Sequence, residues 1–374
     1  MRREITTNKS LNESNEELSA NSAVKPDADS SSLVERLIER NLIPDWLIRS
    51  AIRRLCAVRL REQEAGGIEQ QAARRQRFIA DLKQSPVAIH TGDANAQHYE
   101  APTEFFQLVL GKHLKYSCSY WQDHTATLDE AEEAMLALYV ERARLADGQA
   151  ILELGCGWGS LALYLANLFP HSRIVGVSNS RTQKEFIQAK AINAGLHNLE
   201  IITADMNAFA APWQFDRIVS IEMFEHMRNY EKLLARVAAW LQTDGLLFVH
   251  IFAHQRFAYP YEVRGATDWM AKHFFTGGIM PSDDLLFGFQ KDLRIIDHWQ
   301  LEGTHYRKTC EAWLQRMDAH REQILKLFGD AYGEENRLRW FVRWRLFFMA
   351  CATMFAYSGG SEWGISHYLF KKHE

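Results

Sequence analysis

Three glycines at alternate positions, Gly155, Gly157 and Gly159, stand between an apolar run, Ala150-Ile151-Leu152-Glu153-Leu154, and a helix-forming run from Ser160 to Ala166. A glycine-rich turn between a strand and a helix lets backbone come close to a ligand, because no Cβ stands in the way. The helix beyond it, with Ser160 as its expected cap, offers unpaired N–H groups to something polar or negative. The spacing is G-x-G-x-G. It is neither the G-x-G-x-x-G of dinucleotide folds nor a G-x-x-x-x-G-K-[ST] phosphate loop, and no Lys follows to neutralise phosphates. Such a turn suits a nucleoside with a carboxylate better than a polyphosphate. Other groups with chemistry fall upstream and downstream. Tyr116 to Trp121 put hydroxyls and aromatics into a loop of the kind that covers ligands. Glu222, Glu225 and His226 follow an apolar run closely, and Asp205 follows another. Asp205 suits a hydrogen bond to an exocyclic amine, although an Asp after a strand is also ordinary turn chemistry.

These residues need elements to hold them. After the glycine turn, strands and helices alternate: strands over Arg173–Ser178, Leu199–Thr203, Phe215–Ile221 and Gly245–Phe252, with helices over Gln183–Ala194 and Tyr230–Leu241. Alternation of this kind predicts an α/β fold with a parallel doubly wound sheet and ligands at the carboxyl ends of its strands. Those ends carry Gly155 to Gly159, Ser178-Asn179, Asp205-Met206, Glu222 to His226 and His250 to His254. Leu128 to Ala146 reads as a helix with acidic residues early and Arg142 and Arg144 late, matching its dipole. Residues 268–290 break the alternation and read as an inserted lid. Leu293–Trp299 resumes as a strand, Thr309–Phe328 and Leu338–Tyr357 read as helices, and Trp363–Lys371 as a last antiparallel strand.

Residues 1–32 are polar and should be disordered. From Leu33 a helical extension runs to about residue 96, interrupted at Gly66-Gly67. Arg49, Arg53, Arg54, Arg59 and Arg61 load it with positive charge. Two readings are open: a basic amphipathic helix that touches anionic lipid, or the solvated face of a helix docked on the core, which is preferred. The chain of 374 residues is long enough for one large core with a helical appendage. A net charge of -4 gives no case for nucleic-acid binding. Five scattered cysteines, with no C-x-x-C pair, argue against a metal site and a disulfide framework and for a reducing cytosol. No secretory signal is apparent, and no apolar stretch is long enough to span a bilayer. The expected location is cytoplasmic, with peripheral contact at a membrane surface left open.

The motifs ILELGCGWGSLALYLA, YSCSYW upstream and IEMFEHMRNYEKLL downstream resemble those of the cyclopropane-fatty-acid-synthase superfamily of S-adenosylmethionine-dependent methyltransferases. The likeness runs from about residue 97 to residue 372. Within the superfamily, HFFTGGIMPS, EAWLQRMD and FFMACATMFAYSGGSEW resemble the coclaurine N-methyltransferase type, which methylates benzylisoquinoline amines. The resemblance implies a class I, Rossmann-like methyltransferase domain over 97–374, with a seven-stranded, mostly parallel sheet and a substrate-covering insertion at about 255–292. It implies S-adenosyl-L-methionine as the cofactor and a small-molecule amine as partner, with a membrane lipid as the alternative and a homodimer open as an assembly. It also implies the cofactor contacts. Tyr116 and Ser117 close over the methionine end, and Gly155, Gly157 and Gly159 meet the amino-acid part. Asn179 and Gln183 lie near the ribose, Asp205 and Met206 border the adenine, and Ile221 lies beneath the sulfonium.

Methyl transfer from a sulfonium is an in-line displacement by a nucleophile that must first be free of its proton. An amine is mostly protonated at neutral pH. The resemblance therefore assigns Glu222 and Glu225 to attract and orient the cationic amine and His226 to take part in deprotonation, since histidine titrates near neutrality. A helix start complementing its dipole with acidic residues is the structural alternative. The lipid-cyclopropanating relatives hold a bicarbonate instead, at positions that match Cys118, Glu225, His250 and Tyr306. Cyclopropanation of an unsaturated acyl chain is thus the second reading. A charged Glu222 beside an acyl chain argues against it, because those enzymes carry a small residue there. Cys351, which matches a cysteine of the lipid enzymes, reads as core packing.

Overall fold

The computed structural model describes residues 33–89, 101–263, 265 and 268–373. The expectation of a disordered tail over 1–32 lies outside them, as does the expected domain start near residue 97. The strands are β1 (Ala150–Leu154), β2 (Arg173–Ser178), β3 (Leu199–Thr203), β4 (Phe215–Ile221), β5 (Leu241–His254), β6 (Tyr259–Pro260), β7 (Ile279–Met280), β8 (Leu293–Leu301) and β9 (Trp363–Lys372). Seven of them form one sheet in the order β3-β2-β1-β4-β5-β9-β8, and β6 and β7 form a separate hairpin. Strands β1 to β5 pair in parallel, while β9 runs antiparallel between β5 and β8.

The helices are α1 (Leu33–Glu39), α2 (Asp45–Glu64), α3 (Gly67–Gln84), α4 (Thr103–Val109), α5 (Leu128–Arg142), α6 (Ser160–Leu168), α7 (Arg181–Asn193), α8 (Tyr230–Trp240), α9 (Trp269–His273), α10 (Gly303–Ala319), α11 (Arg321–Tyr332) and α12 (Arg337–Phe355). Alternate residues of the central strands feed two cores. Ile151, Val219 and Phe248 pack under α4, α5, α6 and the α10–α12 group, whereas Leu152, Ile218 and Leu247 pack against α8. Burial on both faces explains why these strands read as continuous apolar runs. Helix α5 starts with a full capping box, Thr127 with Glu130, which satisfies two of its orphan amide groups.

Two features bring distant residues together. Strand β1 leads outward to β2 and β3 on one side, then the chain returns to β4 on the other. The switch point lies between β1 and β4, where Leu154 pairs with Ser220. The glycine turn and the Glu222 segment therefore leave the sheet side by side. Second, the N-terminal helices dock on the C-terminal ones. Arg49 makes a two-pronged ion pair with Glu311, at 2.6 and 2.9 Å, and Ile48 and Ile52 pack on the core. The docked reading of the arginine-bearing helix is the one observed.

Several boundaries differ from expectation; the helix expected over Leu128 to Ala146 stops at Arg142, and the strand expected to end at Trp299 runs to Leu301. The helix predicted over 309–328 is two helices, α10 and α11, broken at His320. Strand β5 begins at Leu241, directly after Trp240, rather than at Gly245. Ser160 does not cap α6: Gly159, with φ 81°, is the capping residue, and the Ser160 hydroxyl is buried without a hydrogen-bond partner.

Candidate active site

Two cavities meet at the carboxyl ends of β1 and β4. The first is lined by Gly155, Gly157, Asn179, Gln183, Asp205, Met206, Ile221, Tyr116 and Ser117, so all but one of the predicted cofactor contacts converge on it. The exception is Gly159. A Cβ there would meet the Ile187 side chain at 2.7 Å, so this glycine permits α6 and α7 to approach and does not face the cavity. Gly157, at φ 51°, is the reverse case. A Cβ there would meet nothing within 4 Å and would project into the cradle.

The walls of this cavity are polar in a particular way. Gln183 is buried, its Oε1 accepts from Ser178 Oγ at 2.7 Å, and its Nε2 has no partner. Ser160 Oγ and Glu153 Oε2 are likewise buried without partners. Orphaned buried donors and acceptors of this kind are rare unless a ligand completes them. The set suits S-adenosylmethionine: an acidic group for its ammonium, donors for its carboxylate and hydroxyls, and Asp205 for its base. Asp205 uses Oδ1 to accept from Asn207 N, at 2.7 Å, which orients the carboxylate.

Glu153 and Lys115 were not anticipated. Glu153 is the one charged residue in β1, and desolvation pushes its carboxyl up to about 8. Lys115 is 1% exposed, donates to Ser117 Oγ at 2.6 Å and to Cys118 O, and burial pushes it down to about 8. A charge inside an otherwise apolar strand, and a lysine opening an aromatic loop, were the signals available.

The second cavity, of about 620 Å³, is apolar and aromatic. Ile48, Ile52 and Cys56 of α2, Tyr261, Trp269, Phe275, Trp313 and Phe355 are among its walls. Tyr116, Glu222 and His226 line both cavities, and mark the place where they join.

Glu222 sits there in a left-handed conformation, φ 47°, which costs about 1 kcal/mol or more for a residue with a Cβ. The twist aims its carboxylate at three groups. Oε1 accepts from Cys118 N at 2.8 Å and lies 3.1 Å from His250 Nε2, and Oε2 accepts from Tyr306 Oη at 2.6 Å. Burial raises its pKa, opposed first by the nearby Lys115 ammonium and then by the bonds from Cys118 and Tyr306. Cys118, His250 and Tyr306 are three of the four positions matched to a bicarbonate site. Here they hold a side-chain carboxylate.

Glu225 is placed differently. It lies on a 3₁₀ turn, Phe224–His226, and not on an α-helix. Its Oε1 accepts from Phe252 N at 2.7 Å, it is fully buried, and it lines neither cavity. Desolvation first, then the Glu222 charge, holds its carboxyl well above the usual carboxylate range. His226 departs from the expected titration near neutrality. Burial pushes it down to about 4, against a smaller upward pull from Glu222, and its ring is neutral at pH 7. Cys351 lines the apolar cavity, half-buried in α12, in hydrogen-bond contact with Cys310 and near Tyr306.

Residues 88–360 match the mycolic acid cyclopropane synthetase family. The chain belongs to this family. Among its relatives, (S)-coclaurine N-methyltransferase from Thalictrum flavum subsp. glaucum is 40% identical over 339 residues, covering 90% of this chain and 94% of the relative. A crystal structure of coclaurine N-methyltransferase bound to N-methylheliamine and SAH superposes with a TM-score of 0.88, at 39% identity, over 91% of this chain and 99% of the other. The cyclopropane synthase MmaA2 from Mycobacterium tuberculosis shares the fold, with a TM-score of 0.65 at 22% identity over 77% of this chain and all of the other. This family member is an S-adenosylmethionine-dependent methyltransferase with the mixed α/β, seven-stranded architecture of its class. No helix among its described residues is long and apolar enough to cross a membrane.

Proposed function

We propose that this enzyme methylates the nitrogen of a small amine carried on an aromatic or apolar body, in the manner of the coclaurine and pavine N-methyltransferases it is similar to. One observation carries the proposal: Glu222, alone among the carboxylates of the described residues, lines both the polar cofactor cavity and the large aromatic cavity, at their junction. Cys118 N–H and Tyr306 O–H both donate to Glu222, which favours its charged form. An ammonium drawn into an apolar cavity needs a counter-charge, and Glu222 supplies it.

The bound cofactor supplies an activated methyl on sulfur, so the protein's work is alignment and proton removal. Glu153 would give up its proton on meeting the cofactor's ammonium, Gln183 and Asp205 would hold its nucleoside, and Gly157 would admit its chain against backbone. On the substrate side, the aromatic walls take the ring system and Glu222 fixes the nitrogen. His226, neutral and beside Phe275 at 4.6 Å between ring centres, accepts the proton that the ammonium must lose. The N–H bond of the substrate breaks as an N–H bond on imidazole forms. The desolvation that keeps His226 neutral also favours the free amine over the ammonium, which eases the transfer. Glu225 takes no part in this scheme. It ties the turn bearing His226 to β5.

The lipid reading loses ground on the same geometry. The groups that would hold a bicarbonate are occupied by Glu222, and a carboxylate at the mouth of an acyl channel is costly. The deciding experiment is a labelled-methyl assay against two panels, secondary and tertiary aromatic amines and unsaturated phospholipids, with product masses. N-methylated amines are the expected products. Cyclopropanated phospholipid with no methylated amine would overturn the proposal.

A further inference from the structure

Strands β5 and β9 are antiparallel, and their register sets His250 directly opposite His367. Both rings are wholly buried on the sheet face that α5 covers, and Tyr139 and Arg142, three residues apart on that helix, lie over them. A continuous line of polar contacts results. Arg142 Nη1 is 2.8 Å from His367 Nδ1, His367 Nε2 is 2.8 Å from His250 Nδ1, and His250 Nε2 is 3.1 Å from Glu222 Oε1.

The proton positions along this line are forced. A guanidinium only donates, so His367 Nδ1 accepts, and a neutral His367 carries its hydrogen on Nε2. That hydrogen points at His250 Nδ1, which must accept in turn. His250 then carries its own hydrogen on Nε2, aimed at Glu222. The Tyr139 hydroxyl, 2.9 Å from the same Nδ1, shares that nitrogen's single lone pair with the His367 hydrogen. Both imidazoles are neutral: burial first holds them well below their usual range, followed by Lys115 and Arg142 at His250 and by His250 and Arg142 at His367.

We propose that Arg142, acting through His367, is a positioning residue that locks His250 in the tautomer donating to Glu222, and thereby keeps Glu222 ionised. With the opposite tautomer, His250 Nε2 would be an acceptor and could stabilise a protonated Glu222. The inference rests on Glu222 as the carboxylate that meets the substrate nitrogen. Other groups facing Glu222 are Lys115, Cys118, Tyr139, Glu225, His226, Tyr306 and Cys310, and none of them donates to either histidine's Nδ1 except Tyr139. Arg142 itself stacks on Trp299, 5.0 Å from its ring centre, at the half-buried end of the line.

The test uses the full chain without substrate. In ¹⁵N-histidine-labelled protein, His250 and His367 should both be Nε2–H tautomers. Arg142→Met keeps the stem on Trp299 but removes the donor. It should shift both rings toward Nδ1–H and raise the titration midpoint of the ¹³C-labelled Glu222 carboxyl by about one pH unit, a tenfold change in its protonation equilibrium. Arg142→Lys, which still donates, should restore both. An Nδ1–H tautomer of either ring in the wild type overturns the proposal. So does R142M with unchanged tautomers or an unchanged Glu222 midpoint. Should R142M fail to fold, the wild-type tautomers decide alone. Neither readout uses an amine, so failure here leaves the substrate assignment standing, and an inactive amine panel leaves these tautomers standing.

Discussion

Replacing Glu222 by Gln isolates the charge from the shape. The amide oxygen can still accept from Cys118 N and His250 Nε2, at the positions where Oε1 now lies 2.8 and 3.1 Å away. The amide nitrogen then meets Tyr306 Oη, whose hydroxyl rotates to accept instead of donate. One short charge-assisted bond becomes a neutral one, a loss of about 1 kcal/mol, and the cost of burying a charge disappears with it. Stability should therefore change by no more than about 1 kcal/mol. The substrate feels more. An ammonium and a carboxylate about 4 Å apart attract by about 4 kcal/mol at an effective dielectric of 20, part of which desolvation cancels. A net loss of about 2–3 kcal/mol corresponds to a fall in kcat/KM of about 30- to 150-fold. The assay is methyl transfer from labelled S-adenosylmethionine to coclaurine, or to the best amine of the panel. Calorimetry of cofactor binding and a melting curve would run alongside. E222Q with kcat/KM within threefold of the wild type would refute the reasoning. A loss matched by weaker cofactor binding or a collapsed Tm would refute it equally.

Other outcomes follow from the same geometry. Glu225→Gln should retain activity within about threefold, because the side chain lines neither cavity and its Oε1 bond to Phe252 N is kept; a hundredfold loss would return Glu225 to the reacting groups. His226→Asn should lower kcat by about a hundredfold or more, the usual worth of a placed base. It should leave the acid limb of the pH–rate profile unmoved, since that ring titrates at about 4 and stays neutral above it. Glu153, raised to about 8, contributes stability that is complete below the unfolded carboxyl's range and is lost as pH rises through 8. Melts from pH 5 to 9 should thus show the wild type losing ground to Glu153→Gln as pH rises, by up to about 5 kcal/mol as an upper bound. Equal slopes for the two proteins would contradict a neutral Glu153. Gly157→Val should weaken cofactor binding at least tenfold, as its side chain enters the cradle from a strained φ of 51°; unchanged affinity would mean the ligand lies elsewhere.

Much of the architecture was legible because short-range rules set it. The alternate glycines announced a turn that only positive φ values allow at 155, 157 and 159. The continuous apolar runs announced strands covered on both faces, and their alternation with helices announced the switch point where ligands lie. Those signals sit within a few residues of one another, so sterics and periodicity decide them locally. Which side chains face one another was not local. Cys118, Tyr306 and His250 reach Glu222 across 104, 84 and 28 residues of chain. Glu222 and Glu225 look equivalent in sequence, but a left-handed backbone at one and a 3₁₀ turn after it send the first into the cavity and the second under β5. His250 and His367 meet only because an antiparallel strand from the chain's end inserts beside β5. The sequence thus determined the sheet and the glycine turn through rules that act over one turn or one strand, and its motifs pointed to the chemical class by resemblance. Tertiary packing alone decided which carboxylate faces the substrate and which imidazole hydrogen faces that carboxylate, because burial and register are properties of the assembled sheet.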